Sequence, residues 1–401
     1  MKKTFLPLLA FMALLLLVSC NDFVTNIAPL ISQVESDRLN QQSQVKFLEN
    51  GVLARFADTQ DNMDVLADGL SDALFFTFDV PNATFITFQE IDEGNIRIDN
   101  NSVGGVLTNL GEMRFFADDM VARMDKITFT DQEIKREALY IGYLMGGLAR
   151  YYYATYVGLN PTEGGGVIDA GAFIPSSDMY NLAMEKFQLA LQNASTTDGG
   201  YEARVVNSLM ARLELYRENY GQVASFASAG LQQGDPDYSG LHSIEARNYW
   251  WVQAGAGRTQ WVLDPRFVQY INDDPKEANR IQITSLTGTS GTTYYRQDRY
   301  GDTDPLPLIT WQENELMLAE AEIRNGGGDP LGRINMVRAS HGLDPLTSAD
   351  LNTIITERDK ELFTTGARLP DERRFGIWHL GAGSWQYLRI TEEEINANPN
   401  L

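Results

Sequence analysis

Cysteine is almost absent. The 401 residues contain one, Cys20, so no internal disulfide holds the chain together. Histidine is nearly as scarce: His242, His341 and His379 stand far apart, and none has the H-E-x-x-H spacing of a zinc site. No Gly-x-Ser-x-Gly elbow occurs. Gly164-Gly165-Gly166 runs on into Val-Ile-Asp, not the Lys-Ser or Lys-Thr of a phosphate-binding loop. Positive charge is also short. Lys and Arg number 32 against 54 Asp and Glu, a net charge of −22. That excludes the basic face that nucleic acid needs and docking on anionic lipid by charge. After the first 20 residues there is no apolar run of the ~20 residues that span a bilayer. These absences predict a protein that is not an enzyme and carries no cofactor or metal. Asp273-Asp274 and Asp302 with Asp304 lack the spacing of an EF-hand and read as solvated surface.

What is present begins at the N-terminus. Lys2 and Lys3 precede an apolar run from Phe5 to Val18, which has the form of a secretory leader. Leu17-Val18-Ser19-Cys20 matches a lipobox, in which the Cys sulfur takes up diacylglycerol. The expected organisation is a leader over residues 1–19, a lipid anchor on Cys20 with a tether over 20–39, and a folded body over 40–401. Membrane contact would come only through the acyl chains on Cys20, and the expected location is the outer membrane.

The body has a 43% apolar content and 10% aromatic residues, enough for a large core. Its dominant pattern is helical. Val45, Leu48, Val52 and Phe56 form one stripe, and Ile134, Ala138, Ile141, Met145, Leu148 and Tyr152 another. Further stripes run through Met179–Ala190, Val205–Tyr216, Val223–Leu231 and Leu316–Ile323. Thr130-Asp131 is placed to cap a helix from Gln132. Helix pairs of this length suggest four non-identical tetratricopeptide-like units, near 40–125, 132–195, 201–232 and 311–341. The fold class is therefore mostly α. Residues 77–103 and 234–310 interrupt the pattern, and the second stretch is rich in Gly, Thr, Asp, Tyr and Trp. It is expected to consist of long loops and short strands, the usual place for binding residues on a rigid scaffold.

The C-terminal third carries ordered motifs. Glu315-Leu-Met-Leu-Ala-Glu-Ala-Glu322 is followed by Asn335-Met-Val-Arg338 and Gly342-Leu343. Ile354-Ile-Thr-Glu-Arg-Asp-Lys-Glu-Leu362 comes next, and Gly366-Ala-Arg368 with Asp371-Glu-Arg-Arg-Phe-Gly376 ends the series. In order and spacing this segment resembles the SusD/RagB family of outer-membrane lipoproteins. It departs from the family pattern at Arg368-Leu-Pro-Asp371, where a Trp is usual. Taken as side chains alone, Glu320, Arg338, Glu357, Arg358, Glu361, Arg368, Asp371 and Arg374 make a set of alternating charges suited to interhelical ion pairs.

The resemblance implies a surface-exposed lipoprotein that binds a nutrient, an oligosaccharide or a peptide. It would hand that nutrient without catalysis to a SusC-type TonB-dependent transporter. The competing expectation is a helical-repeat adaptor lipoprotein that binds a protein or peptide partner. Sugar rings stack on flat aromatic faces. The expected ligand-binding residues are therefore the aromatics of the irregular stretch: Trp250, Trp251, Trp261, Tyr294 and Tyr295. Trp311 and Trp378 are expected to pack into the protein.

Overall fold

A computed structural model describes residues 36–401. The leader, Cys20 and the tether up to residue 35 lie outside the described residues. Residues 36–39 form a 3-10 turn pinned by Arg123, whose Nη1 and Nη2 each donate to Ser36 at 2.9 Å.

Helix α1, Val45–Leu70, leads into the short strand β1, Leu74–Phe76, and helix α2, Ile86–Asp92. Helix α3, Asn101–Met124, is capped by the Asn100 side chain on Val103 N–H. Helix α4, Gln132–Tyr156, is capped by Asp131 on Glu133 N–H, as the sequence suggests. Strands β2 (Val157–Asn160), β3 (Glu163–Gly166) and β4 (Ile174–Pro175) precede helix α5, Ser176–Gln192. Helices α6, Tyr201–Tyr216, and α7, Tyr220–Ala227, form the short hairpin predicted there.

The irregular stretch is more regular than its composition implies. It holds β5 (Tyr238–Gly240), α8 (Tyr249–Ala254), β6 (Trp261–Leu263), α9 (Arg266–Asp273), a 3-10 turn over Pro275–Asn279, and β7 (Ile283–Thr287), β8 (Thr293–Gln297) and β9 (Leu306–Ile309). The two helices were not expected; each is too short for its periodicity to stand out. Helices α10 (Trp311–Asn325), α11 (Pro330–Ser340), α12 (Leu351–Glu361) and α13 (Arg368–Phe375) follow, then β10 (Leu388–Arg389) and α14 (Glu392–Ala397).

The fold is mostly helical, and its long helices stack in sequence order. α1 packs on α3, α3 on α4, α4 on α5, α5 on α6 and α6 on α7. α10 then packs on α7 and α11 on α10. The fourth pair therefore continues the stack although about 80 residues separate it from the third. Two devices permit this. β5 pairs antiparallel with β9, Tyr238 opposite Ile309, which closes the excursion at its base. Buried polar side chains then bolt α10 to its neighbours. Arg212 donates to both oxygens of Glu313, and Asn314 Nδ2 donates to the carbonyls of Ala227 and Leu231 at 2.9 Å. A buried polar group costs stability unless paired, so such contacts also set the register of the two helices.

The remaining strands tie distant segments together. β1 pairs antiparallel with β6, Phe76 opposite Trp261. β10, β2, β3 and β4 form a small sheet, in which β10 lies parallel to β2. β7 and β8 form a hairpin from Ile283↔Gln297 to Thr287↔Thr293.

Candidate functional site

The β7–β8 hairpin decides the surface of the irregular stretch. Asp79 anchors its tip: one carboxylate oxygen accepts Thr289 Oγ1 and Ser290 N–H at 2.7 Å, and the other accepts Ser290 Oγ at 2.7 Å. The hydrogen bonds from Ser290 and Thr289 draw the Asp79 carboxyl down to about 2. Successive residues on a strand face opposite ways, so Tyr294 and Tyr295 separate. Tyr294 packs against Phe75, with ring centroids 6.0 Å apart. Tyr295 faces the other side and lines a cleft of about 490 Å³ between the hairpin, α9 and the 3-10 turn.

That cleft has an apolar floor of Val268, Ile271, Ile281 and Ile283 and a polar rim of Asn272, Gln282 and Asp298. Asp298 accepts Thr284 Oγ1 at 2.9 Å, and its own N–H donates to the Gln282 carbonyl at 2.9 Å. Among the described residues the side-chain amides of Asn272 and Gln282 donate to no protein acceptor. The cleft thus offers one aromatic ring, two uncommitted amides and a carboxylate over an apolar base. Its volume falls in the ~300–1,000 Å³ range of small-molecule sites.

The other expected aromatics are not in the cleft. Trp250 and Trp261 are both fully buried, which corrects their assignment as ligand faces. Trp261 stacks on Phe88 at 5.1 Å, meets Phe76 edge-on at 6.3 Å, and lies on Gly69 of α1, where a Cβ would come within 2.6 Å of the indole. Trp250 occupies the inner face of α8. Trp251, its neighbour about 100° around the helix, is half-buried beneath the Arg247 guanidinium at 5.4 Å. Trp311 is buried and Trp378 is half-buried, its indole N–H donating to Ser384 Oγ at 3.0 Å. The polar rim was missed because Asn272, Gln282 and Asp298 are ordinary surface residues in the sequence. The Phe267, Val268, Ile271 stripe of α9 was the available signal.

The C-terminal charges lie elsewhere and face inward. The Arg358 side chain is fully buried and pairs with Asp371 at 2.8 Å. Arg374 pairs with Asp371 at 2.7 Å and with Glu320 at 2.5 Å. Arg338 and Arg280 both reach Glu357 at 2.8 Å, and Arg368 reaches Asp72 at 2.6 Å. Burial pushes the Asp371 carboxyl up, but Arg358 and Arg374 outweigh it and hold the group below its ordinary value. A second set of acids, Asp61, Asp64 and Asp68, lies along the buried side of α1. Burial raises all three, Asp68 to about 8. Strongly shifted acids can mark active sites, but none of these lines the cleft, and the void touching Asp68 holds only about 10 Å³.

Asp274 accepts Lys276 N–H and Asp304 accepts Gly301 N–H, each as a turn former. Among the described residues no cluster of three or more His, Cys, Asp or Glu is placed to hold a metal ion. No described helix is long and apolar enough to cross a membrane.

Comparison with known proteins adds a family. The profile of the SusD family matches residues 174–401. Several solved structures share the fold. A SusD superfamily protein from Bacteroides thetaiotaomicron VPI-5482 is similar at 16% identity and a TM-score of 0.73, with 90% of this chain and 98% of that one covered. A SusD-like carbohydrate binding protein from Bacteroides vulgatus ATCC 8482 is 13% identical, with a TM-score of 0.70 and 90% and 97% covered. A laminarin binding SusD-like protein is 15% identical, with a TM-score of 0.69 and 89% and 97% covered. No curated protein sequence matches the chain.

Proposed function

The chain belongs to the SusD family, and from that premise we propose that it captures an oligosaccharide at the cell surface and passes it, without catalysis, to a SusC-type TonB-dependent transporter. The observation that carries this reading is the cleft beside Tyr295. An aromatic ring, uncommitted amides and a carboxylate over an apolar floor suit a pyranose, which has apolar faces and hydroxyl edges. The laminarin binding and carbohydrate binding relatives of the same fold support a glycan as the ligand class. The strongly perturbed acids lie away from the cleft, which favours binding over acid–base chemistry. Delivery would then depend on movement against the transporter. Leu17–Cys20 supports lipid anchoring at the outer membrane as part of the same proposal.

The test is a glycan array on the purified chain, with hits measured by calorimetry. A glycan that binds the wild type should lose at least about tenfold in affinity, ~1.4 kcal/mol, with Tyr295→Ala, while the melting temperature holds. A hit whose affinity is indifferent to Tyr295 would move the site elsewhere. Co-purification of a TonB-dependent transporter tests the delivery step. Capture of a soluble protein in its place would favour the adaptor reading.

A further inference from the structure

Among the described residues Asp298 is the one charged side chain that lines the cleft beside Tyr295. No Lys, Arg or His nitrogen lies within 4.0 Å of its carboxylate. Oδ2 accepts Thr284 Oγ1 at 2.9 Å, and no described residue donates to Oδ1. The side-chain carbonyls of Asn272 and Gln282, on the same rim, accept no protein donor either. Asp298, Asn272 and Gln282 are exposed and Tyr295 is half-buried, so solvent reaches all four side chains.

The cations close to this rim in the chain are engaged elsewhere. Lys276 pairs with Asp344 at 2.8 Å. Arg280 is buried among Glu277, Glu357 and Glu361. Arg296 follows Tyr295 on β8 and so faces the other side of the hairpin. Arg299, next to Asp298, donates to the Phe363 carbonyl at 2.7 Å. Two more acids stand beside Asn272. Asp273 accepts Gln269 Nε2 at 2.6 Å and Asp274 accepts Lys276 N–H at 3.1 Å, and neither has a basic partner among the described residues.

A cleft lined by one sign of charge concentrates ligands of the other sign. An acidic glycan would enter with no cation to receive it. An ammonium group would meet a free carboxylate oxygen, two amide carbonyls and an aromatic ring, each of which attracts a cation.

We propose that the ligand of this cleft is an amino sugar with a free ammonium group. The ammonium would sit between Asp298 Oδ1 and the Tyr295 ring, with the carbonyls of Asn272 and Gln282 as further acceptors. The proposal rests on the reading of the cleft as a glycan site.

Calorimetry on the purified chain tests it with three tetramers of one β-1,4 linkage that differ only at C2: the tetramers of glucosamine, N-acetylglucosamine and glucose. At about pH 6 the glucosamine amines hold their protons. That tetramer should bind about tenfold more tightly than either neutral one, since exposed ion pairs and cation–π contacts are each modest. Asp298→Asn keeps an oxygen for Thr284 Oγ1 and should lower that ratio about three- to fivefold without a change in melting temperature. Tyr295→Leu should lower the ratio as well. A preference untouched by Asp298→Asn would mean that the net charge of the chain attracts the amine, and would overturn the proposal. A neutral tetramer that binds as tightly as the glucosamine one, with Tyr295 still required, would overturn it and leave glycan capture standing. Binding of none of the three would also overturn it, and the glycan array, with its other linkages, then decides the capture reading by itself.

Discussion

Polar side chains are used in opposite ways in the irregular stretch and in the C-terminal helices. Around α9 and the hairpin, Asn272, Gln282 and Asp298 stay at the surface, facing a cleft with few protein partners. Across α12 and α13, Arg358, Asp371 and Arg374 turn inward and bind one another. The first arrangement leaves donors and acceptors for a ligand. The second uses them up, and a buried ion pair that is fully engaged serves orientation more than net stability. A charged motif in a sequence is thus no sign of a binding site until its partners are known. Arg373, next to Arg374 in the chain, shows how local the distinction is: among the described residues Arg374 has two acids and Arg373 has none.

Breaking the paired side of this contrast should have the largest effect. Arg374→Ala leaves the fully buried Glu320 and the buried Asp371 short of a cation. It should cost about 3–5 kcal/mol in urea unfolding and cut folding yield. Ligand affinity at the Tyr295 cleft, measured on the folded fraction, should not change. Full stability with lost binding would show that the motif serves the ligand and not the fold.

A smaller effect tests the buried aromatic anchor of the loop-rich side. Alanine normally favours a helix interior by about 1 kcal/mol over glycine. At Gly69 the new methyl would meet the Trp261 indole at 2.6 Å. Gly69→Ala should therefore destabilise, by about 1–3 kcal/mol, a sign opposite to propensity. A neutral or stabilising result would mean that Trp261 is free to move, restoring it as a candidate ligand face.

The smallest effect comes from the acids on α1. Burial raises Asp68 to about 8 from an unfolded value of about 3.9. Between those values the folded state binds more protons than the unfolded one, so stability falls as pH rises from about 4 to 8. Asp68→Asn removes the proton demand and retains an oxygen for the Gly366 N–H. The gain in melting temperature should be larger at pH 8 than at pH 5. Free-energy differences on the order of 1–2 kcal/mol are expected, because Asp61 and Asp64 titrate in the same direction. An equal gain at both pH values would show that Asp68 is already ionised in the fold.

Much of the scaffold was legible in the chain. The stripes at Val45–Phe56 and Ile134–Tyr152 lie on α1 and α4, and the four expected pairs correspond to α1 with α3, α4 with α5, α6 with α7 and α10 with α11. The site was less so. Adjacent aromatics such as Trp250-Trp251 and Tyr294-Tyr295 announce that one ring goes in and the other out. Which one goes in depends on what lies beneath. The indole of Trp261 is buried by Phe76, Phe88 and Gly69, all more than 170 residues away. No local pattern in the loop could reveal them.

The helices, their apolar faces and the motif that places the chain in its family are written in local sequence, because these depend on residues within a few positions of one another. Folding in three dimensions set the rest: residues 234–310 loop out and return through the β5–β9 pairing, Tyr295 alone of the five expected aromatics lines the cleft, and Arg373 meets no acid among the described residues. Burial and charge pairing are set by neighbours brought together from distant parts of the chain, and such neighbours exist only once it has folded.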